Sequence, residues 1–161
     1  MTHYKSWSGL KKRLEDRLCE ELRGRISYFL TRYHKVHDAY GRAAVRLDGR
    51  ELVCFSWNIM YEQESQLSEQ WRESGEWDRE SFRDKWNAEG TFCEMGFLSA
   101  ALEFLEMPID EALRDDNYLI RMLAIMDERV GKRTLQQIAE KGEYLSYPEW
   151  LRQFYELRLE I

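Results

Sequence analysis

Apolar residues near the start of the chain recur every three or four positions, which is the spacing of one face of an α-helix. Charged residues occupy the opposite face of this segment. Ser8 is placed to cap the helix, and Gly24 is placed to end it. The apolar stripe consists of Trp7, Leu10, Leu14 and Leu18.

The pattern changes at residue 26. From there to His34 the residues favour β-structure, and apolar side chains occur at both odd and even positions. This run predicts a strand that is covered on both faces, or nearly so. Two further β-like runs, residues 42–47 and 50–57, flank the pair Asp48-Gly49. That pair favours a type I′ turn, because both central residues of such a turn need a positive φ.

A two-residue turn fixes the register of the predicted hairpin. Arg46 is then expected opposite Glu51, and Val45 opposite Leu52. One face of the hairpin would pair charges and the other would pair aliphatic side chains. A three-residue loop would shift this register and reverse the two faces.

Helical periodicity dominates the second half of the chain, although residues 58–74 are too polar to show a clear stripe. Thr91 and Glu94 have the spacing of a capping box. They would open a helix whose core stripe is Phe97, Leu98, Ala101, Leu102 and Leu105. Other helix starts are predicted at Asp78, Pro108, Asn117, Thr134 and Ser146.

Strands early in the chain and helices late predict an α+β fold. We expect an N-terminal helix, a small three-stranded antiparallel sheet with a hairpin at 42–57, and a C-terminal cluster of about five helices packed on one face. With 161 residues and no Pro-, Gly- or Ser-rich linker, residues 1–161 are expected to form one domain. Its sheet-bearing part is 1–57 and its helical part is 58–161.

Three features predict a cytoplasmic protein. Residues 1–10 lack the apolar region of a signal peptide, and no stretch approaches the ~20 apolar residues of a membrane span. The three cysteines are widely spaced and odd in number, which is typical of reduced thiols.

Charge is sorted along the chain and points to a partner. Residues 1–57 carry 12 Lys and Arg against 7 Asp and Glu, whereas residues 58–111 carry 4 against 14. The second segment, with its net charge of −10, predicts a docking surface for a basic protein centred on residues 58–90. Aromatic residues interleaved with the acids would anchor such an interface. The predicted partner-binding residues are Glu69, Trp71, Glu73, Trp77 and Glu80.

No catalytic motif is recognisable, so a non-enzymatic protein is favoured and no cofactor or metal is expected. An enzyme remains an alternative if Cys93, or His34 and His37, face a cleft. Cys93 would occupy the second helical position after Thr91, where the helix dipole favours a thiolate. His34 and His37 have H-x-x-H spacing but no definite further ligands.

Binding of an anionic ligand or a nucleic acid is a third alternative, because arginines crowd the basic N-terminal sheet. Tyr28, Tyr33, Phe55 and Trp57 could stack on bases there. The overall acidity, with a pI of about 5.2, argues against it. The two charge poles could instead satisfy each other within one fold or across a homodimer.

Short motifs near both ends resemble a family of small bacterial conserved hypothetical proteins with no assigned activity. They are Trp7 with Leu10-Lys11-Lys12, Gly24-Arg25, residues 108–113 (PIDEAL), residues 127–135 (DERVGKRTL) and residues 154–159 (FYELRL). The charged region 58–90 does not contribute to the resemblance. The resemblance implies a bacterial cytosolic protein that folds as one unit, and it transfers no catalytic residue. The leading hypothesis is therefore an interaction or regulatory module, with an immunity-like role as one form of it.

Overall fold

The computed structural model describes the backbone of residues 6–32, 41–56, 65, 69, 72–75 and 79–161, and the same side chains except 32 and 79–83. An N-terminal helix, a three-stranded sheet and a series of helices follow one another, which confirms the predicted α+β class. The described residues 65, 69 and 72–74 also have helical backbone. The elements are α1 (Trp7–Asp16), the 3₁₀ turn η1 (Glu20–Leu22), β1 (Ile26–Arg32), β2 (Gly41–Leu47), β3 (Arg50–Ser56), α2 (Arg79–Glu89), α3 (Glu94–Glu106), α4 (Ile109–Ala112), α5 (Tyr118–Ile125), α6 (Lys132–Lys141), the 3₁₀ turn η2 (Glu143–Ser146) and α7 (Glu149–Glu160).

The sheet is an antiparallel meander in the order β1-β2-β3. Asp48 and Gly49 form the predicted turn, with φ of 50° and 83°. Arg46 lies opposite Glu51 as expected, but Val45 pairs with Val53 rather than with Leu52. A β-bulge after Val45 inserts Leu52 as an extra residue, so the predicted pair of Val45 with Leu52 is wrong.

The inner face of the sheet packs against α1 and α3. Phe97 of α3 lies at the centre of this contact, with its ring centroid 6.2 Å from Tyr28 and 6.0 Å from Phe55. Trp7 of α1 approaches the same ring edge-on at 6.2 Å. The predicted stripes of α1 and α3 are thus both in the core.

Helix α5 forms the centre of the second layer, between α3 and α7. Six of its eight residues are buried, on all sides of the helix, which is typical of a core helix rather than an amphipathic surface helix. Asn117 caps it as predicted, accepting a hydrogen bond from the Leu119 N–H at 3.0 Å.

Four predicted helix boundaries are wrong by two or three residues. The observed N-caps are Ser6 instead of Ser8, Cys93 instead of Thr91, Gly131 instead of Thr134, and Pro148 instead of Ser146. The side chains of Ser6 and Cys93 each accept a backbone N–H, whereas Gly131 and Pro148 make no side-chain cap hydrogen bond, so capping chemistry alone does not fix these starts. The predicted cap Asp78 lies outside the described residues.

Gly24 does not end α1, which stops at Asp16. With φ of 78°, Gly24 instead forms the turn between η1 and β1. The 3₁₀ turn η1 separates the two because the chain between α1 and β1 pairs with a distant segment: the Cys19 N–H donates to the Met126 carbonyl at 2.9 Å. This pairing fixes the position of the chain just before β1 begins.

Candidate functional site

The predicted acidic surface, residues 58–90, is described in part. Glu69 and Glu73 lie in helical backbone with exposed side chains. Glu80 lies in α2, where the backbone is described and its side chain is not. Trp71 and Trp77 lie outside the described residues. The two glutamates with described side chains are thus accessible to a partner.

Half of the twelve basic residues of the N-terminal part form ion pairs with other described residues. Its ion pairs between described residues end on carboxylates of the same part or on Glu128. Arg25, for example, donates two hydrogen bonds to Asp48 at 2.9 and 3.1 Å and holds the pKa of that carboxyl below its ordinary value. The pairs are Lys11 with Glu15, Lys12 with Asp16, Arg23 with Glu128, Arg25 with Asp48, and both Arg42 and Arg46 with Glu51.

Fewer ion pairs are described in the acidic segment, residues 58–111, many of whose side chains lie outside the described residues. Between described residues of 58–111, the structure places one ion pair, Lys85 with Glu89 at 3.4 Å. None of the ion pairs in the described part of the chain joins this segment to the basic N-terminal part. Of the two arrangements left open by the charge pattern, the described contacts therefore give no support to mutual neutralisation of the poles.

The outer face of the sheet was the candidate nucleic-acid surface. The guanidinium groups of Arg42 and Arg46 lie 5.4 and 4.2 Å from the ring centroid of Phe29. Both arginines also contact Glu51, and the hydrogen bond from Arg42 lowers the pKa of that carboxyl. Arginines that already hold a carboxylate and a ring are poorly placed to bind phosphates.

The proposed base-stacking residues are also corrected by the structure. Tyr28 and Phe55 point into the core and are 2% and 1% exposed. Their rings pack on Phe97 and offer no face to a nucleotide. Tyr33 and Trp57, the other two candidates, lie outside the described residues.

Cys93 is half-buried and acts as the N-cap of α3, not as its second residue. Its Sγ accepts a hydrogen bond from the Gly96 N–H at 3.3 Å. That bond favours the thiolate, but burial outweighs it and raises the pKa of the thiol above the ordinary value. The geometry is that of a structural cap and not of an activated nucleophile.

We expect Cys93 to react slowly with iodoacetamide at pH 7.4, because its raised pKa leaves little thiolate. Mass spectrometry of the Cys93 peptide should show alkylation several times slower in the folded protein than in the same protein unfolded in urea. Alkylation faster than in the unfolded chain would reveal an activated thiolate and restore the enzyme alternative.

The histidine alternative cannot be followed in the structure, because His34 and His37 lie outside the described residues. Within the described ranges, no three His, Cys, Asp or Glu side chains are grouped as a metal ion would require. Nor does any helix in those ranges have the length and apolar character needed to cross a bilayer.

The motifs that carried the family resemblance meet in space. Asp127, 1% exposed, accepts hydrogen bonds from the Arg129 backbone N–H at 2.7 Å and from its guanidinium at 2.9 and 3.0 Å. Arg129 also donates to the Met107 carbonyl at 3.1 Å, next to the PIDEAL segment. Arg158 of the FYELRL segment, which is buried, donates to the Val130 carbonyl at 2.9 Å.

These contacts give the motif residues a structural role that the sequence did not disclose. Spacing alone does not show that an Asp and an Arg two residues apart form a buried pair, since the same residues are usually solvated. Residues 127–130 connect the end of α1, the end of α3 and α7. Among the described residues, these contacts form no catalytic arrangement.

Comparison with known proteins supports one assignment. No curated protein and no solved structure matches the chain. A family model matches residues 6–159, which include both ends of the resemblance and the charged region between them. The chain therefore belongs to the SF0329 protein family.

Proposed function

We propose that the protein is a non-enzymatic interaction module that binds a basic partner protein through residues 58–90, the first part of its acidic segment 58–111. The observation that carries the proposal is the separation of the ion pairs. The basic N-terminal part pairs with its own carboxylates and with Glu128, while exposed Glu69 and Glu73 belong to residues 58–111, which carry a net charge of −10.

Like charges on one surface repel each other, so the free protein carries an electrostatic cost that a basic partner removes. Such a surface also steers a basic partner over distances up to the Debye length, about 8 Å at physiological salt. Association should therefore be fast and should weaken as salt is added. Charge alone gives little affinity, so apolar anchors are also needed at the contact.

Trp71 and Trp77 are the proposed anchors, because tryptophan is enriched among the residues that dominate binding energy. They lie in the sequence between acidic residues, which matches the usual arrangement of an apolar centre and a charged rim. A role in neutralising or regulating the partner, as an immunity protein does, is consistent with this arrangement.

Charge reversal tests the proposal. A protein that copurifies with the chain is identified, purified and titrated by calorimetry against wild type and against the triple variant Glu69→Lys, Glu73→Lys, Glu80→Lys. We expect the triple variant to bind about tenfold more weakly or worse, because each reversal replaces an attraction by a repulsion. The difference should shrink as the salt concentration rises.

The matched control reverses three exposed glutamates elsewhere, Glu20→Lys, Glu140→Lys and Glu160→Lys. It changes the net charge by the same amount and should retain most of the wild-type affinity. An equal loss of affinity in both triple variants would mean that only the net charge matters. Unchanged affinity in the acidic-segment variant would reject this contact.

A further inference from the structure

A cleft of about 410 Å³ opens in the helical part of the chain. It lies between α4 and the residues just after it, α6, η2 and the middle of α7. Its volume is within the range of about 300–1,000 Å³ typical of small-molecule sites. The residues that line it are Asp110, Leu113, Arg114, Thr134, Gln137, Ile138, Lys141, Glu143, Tyr144, Tyr147 and Tyr155.

Tyrosine rings form a rigid base for the cleft. Tyr144 stacks on buried Tyr155 with ring centroids 5.8 Å apart and an interplanar angle of 7°. Tyr147 meets Tyr155 edge-on at 5.3 Å. Since the rings support one another, they form a fixed surface for an apolar or aromatic group.

Helix α6 covers the cleft without sealing it. The helix is strongly amphipathic, yet none of its residues is fully buried. Leu135 and Ile138 on its apolar side are only half-buried, and Leu145 just beyond it is 61% exposed. Of these three residues Ile138 lines the cleft, so its half-buried side chain offers apolar surface to a ligand there.

Charges of both signs surround this surface. Asp110 and Arg114 lie on one side, and Lys141 and Glu143 flank Gly142 on the other. All four are exposed, and among the described residues none of them forms an ion pair. Elsewhere in the described part of the chain, neighbouring surface charges form ion pairs, such as Lys12 with Asp16 and Arg152 with Glu156. The four charged side chains around the cleft form none and are available to a ligand.

The hydroxyl of Tyr147 adds a hydrogen-bond donor inside the cleft. It accepts a hydrogen bond from Arg121 Nη1 at 2.7 Å, and the same guanidinium lies 5.5 Å from the ring centroid. The hydroxyl accepts through its oxygen and keeps its own proton, which it can donate to an anionic acceptor. No acceptor for this proton is found within the described part of the chain.

We infer that the cleft binds a small zwitterion with an apolar or aromatic side chain, that is, a free amino acid. Its carboxylate would be held by Arg114, Lys141 and the Tyr147 hydroxyl, and its ammonium group by Asp110 and Glu143. Its side chain would lie on Tyr144 below α6. A singly charged ligand would pair with only one of these two sets of like charges, and an uncharged ligand with neither.

Calorimetric titration with L-leucine, L-phenylalanine and L-tryptophan tests this inference. At least one of them should bind at millimolar concentration or below. Its uncharged analogue, the N-acetyl amide, should bind about tenfold more weakly or worse, because charge-assisted hydrogen bonds are lost at both ends. The decarboxylated amine and the deaminated acid should each be weakened by a similar factor.

Two variants locate the site. Arg114→Gln and Asp110→Asn change exposed, unpaired side chains, so thermal unfolding should match wild type while amino-acid affinity falls about tenfold. Arg133→Gln, an exposed arginine of α6 outside the cleft lining, is the matched control and should bind as wild type does.

Absence of binding by all three amino acids, equal binding of the N-acetyl amide, or unchanged affinity in both cleft variants would overturn the inference. The acidic-segment variant Glu69→Lys, Glu73→Lys, Glu80→Lys should bind amino acids normally. The two proposals can therefore fail independently.

Discussion

Replacing Asp127 by alanine should lower the free energy of unfolding by about 3 kcal/mol, because the change leaves a partly buried guanidinium and a backbone N–H without their acceptor. Both carboxylate oxygens of Asp127 accept hydrogen bonds from Arg129. The Asp127 side chain is fully buried and that of Arg129 is 29% exposed, so water replaces little of what is lost.

The effect should spread beyond the pair, because residues around Asp127 join distant parts of the chain. The Glu128 N–H donates to the Arg17 carbonyl at 2.7 Å, and Leu18 forms an isolated β-bridge with Asp127 itself. Arg129, once released, also loses the orientation in which it bonds the Met107 carbonyl and lies 5.8 Å from the centroid of Phe104.

Urea denaturation followed by circular dichroism measures the change. Asp16→Ala is the control, since Asp16 forms an exposed ion pair with Lys12 and its loss should cost less than about 0.5 kcal/mol. Asp127→Asn keeps one acceptor and should fall between the two. If Asp127→Ala were as stable as Asp16→Ala, the buried pair would contribute nothing to the fold.

A double variant, Asp127→Ala with Arg129→Met, distinguishes the interaction between the two side chains from the separate effect of each substitution. Breaking a buried pair by removing one partner is usually more damaging than replacing both by apolar groups. The double variant should therefore be less destabilised than the sum of its single changes. A strictly additive result would mean that the two side chains act independently.

The elements of this fold could be predicted because each depends on local pattern. Asp48-Gly49 specifies a turn by backbone geometry alone, and the stripes of α1 and α3 specify buried faces by spacing. The β-bulge at Leu52 could not be predicted, because it depends on how neighbouring strands fit against α7, where Gln153 donates to the Leu52 carbonyl at 3.4 Å.

The candidate sites divide in the same way. The acidic surface could be predicted from the sequence, because its acidic residues follow one another along the chain. The tyrosine cleft is assembled from Asp110, Gln137, Tyr144 and Tyr155, which lie on four different elements, and no single window of sequence contains its chemistry. The role of Asp127 was hidden for a similar reason, since burial of a carboxylate depends on tertiary packing.

Replacing Gly90 by alanine should destabilise the protein by about 2–3 kcal/mol, through backbone strain and a steric clash together. Gly90 ends α2 with φ of 69°, a left-handed conformation that costs a residue with a Cβ about 1 kcal/mol or more. The Thr91 N–H donates to the Trp86 carbonyl at 3.1 Å across this turn, which is the hydrogen bond of a Schellman motif.

The clash arises because an added Cβ would lie 2.9 Å from Cγ of Trp150. Trp150 cannot move away easily: its Nε1 donates to the Asn87 carbonyl at 2.6 Å, and its indole packs edge-on against Phe55 and Phe92. The shift would therefore disturb the contact between α2, α7 and the sheet.

Gly142→Ala is the matched control, because Gly142 also ends a helix with a positive φ, 65°, while an added Cβ would meet Leu145 at an ordinary 3.5 Å. Both variants suffer the backbone strain, and only Gly90→Ala suffers the clash. Thermal and urea unfolding should thus place Gly90→Ala about 1–2 kcal/mol below Gly142→Ala. If the two variants were equally stable, Trp150 would not be held where the hydrogen bond to Asn87 places it.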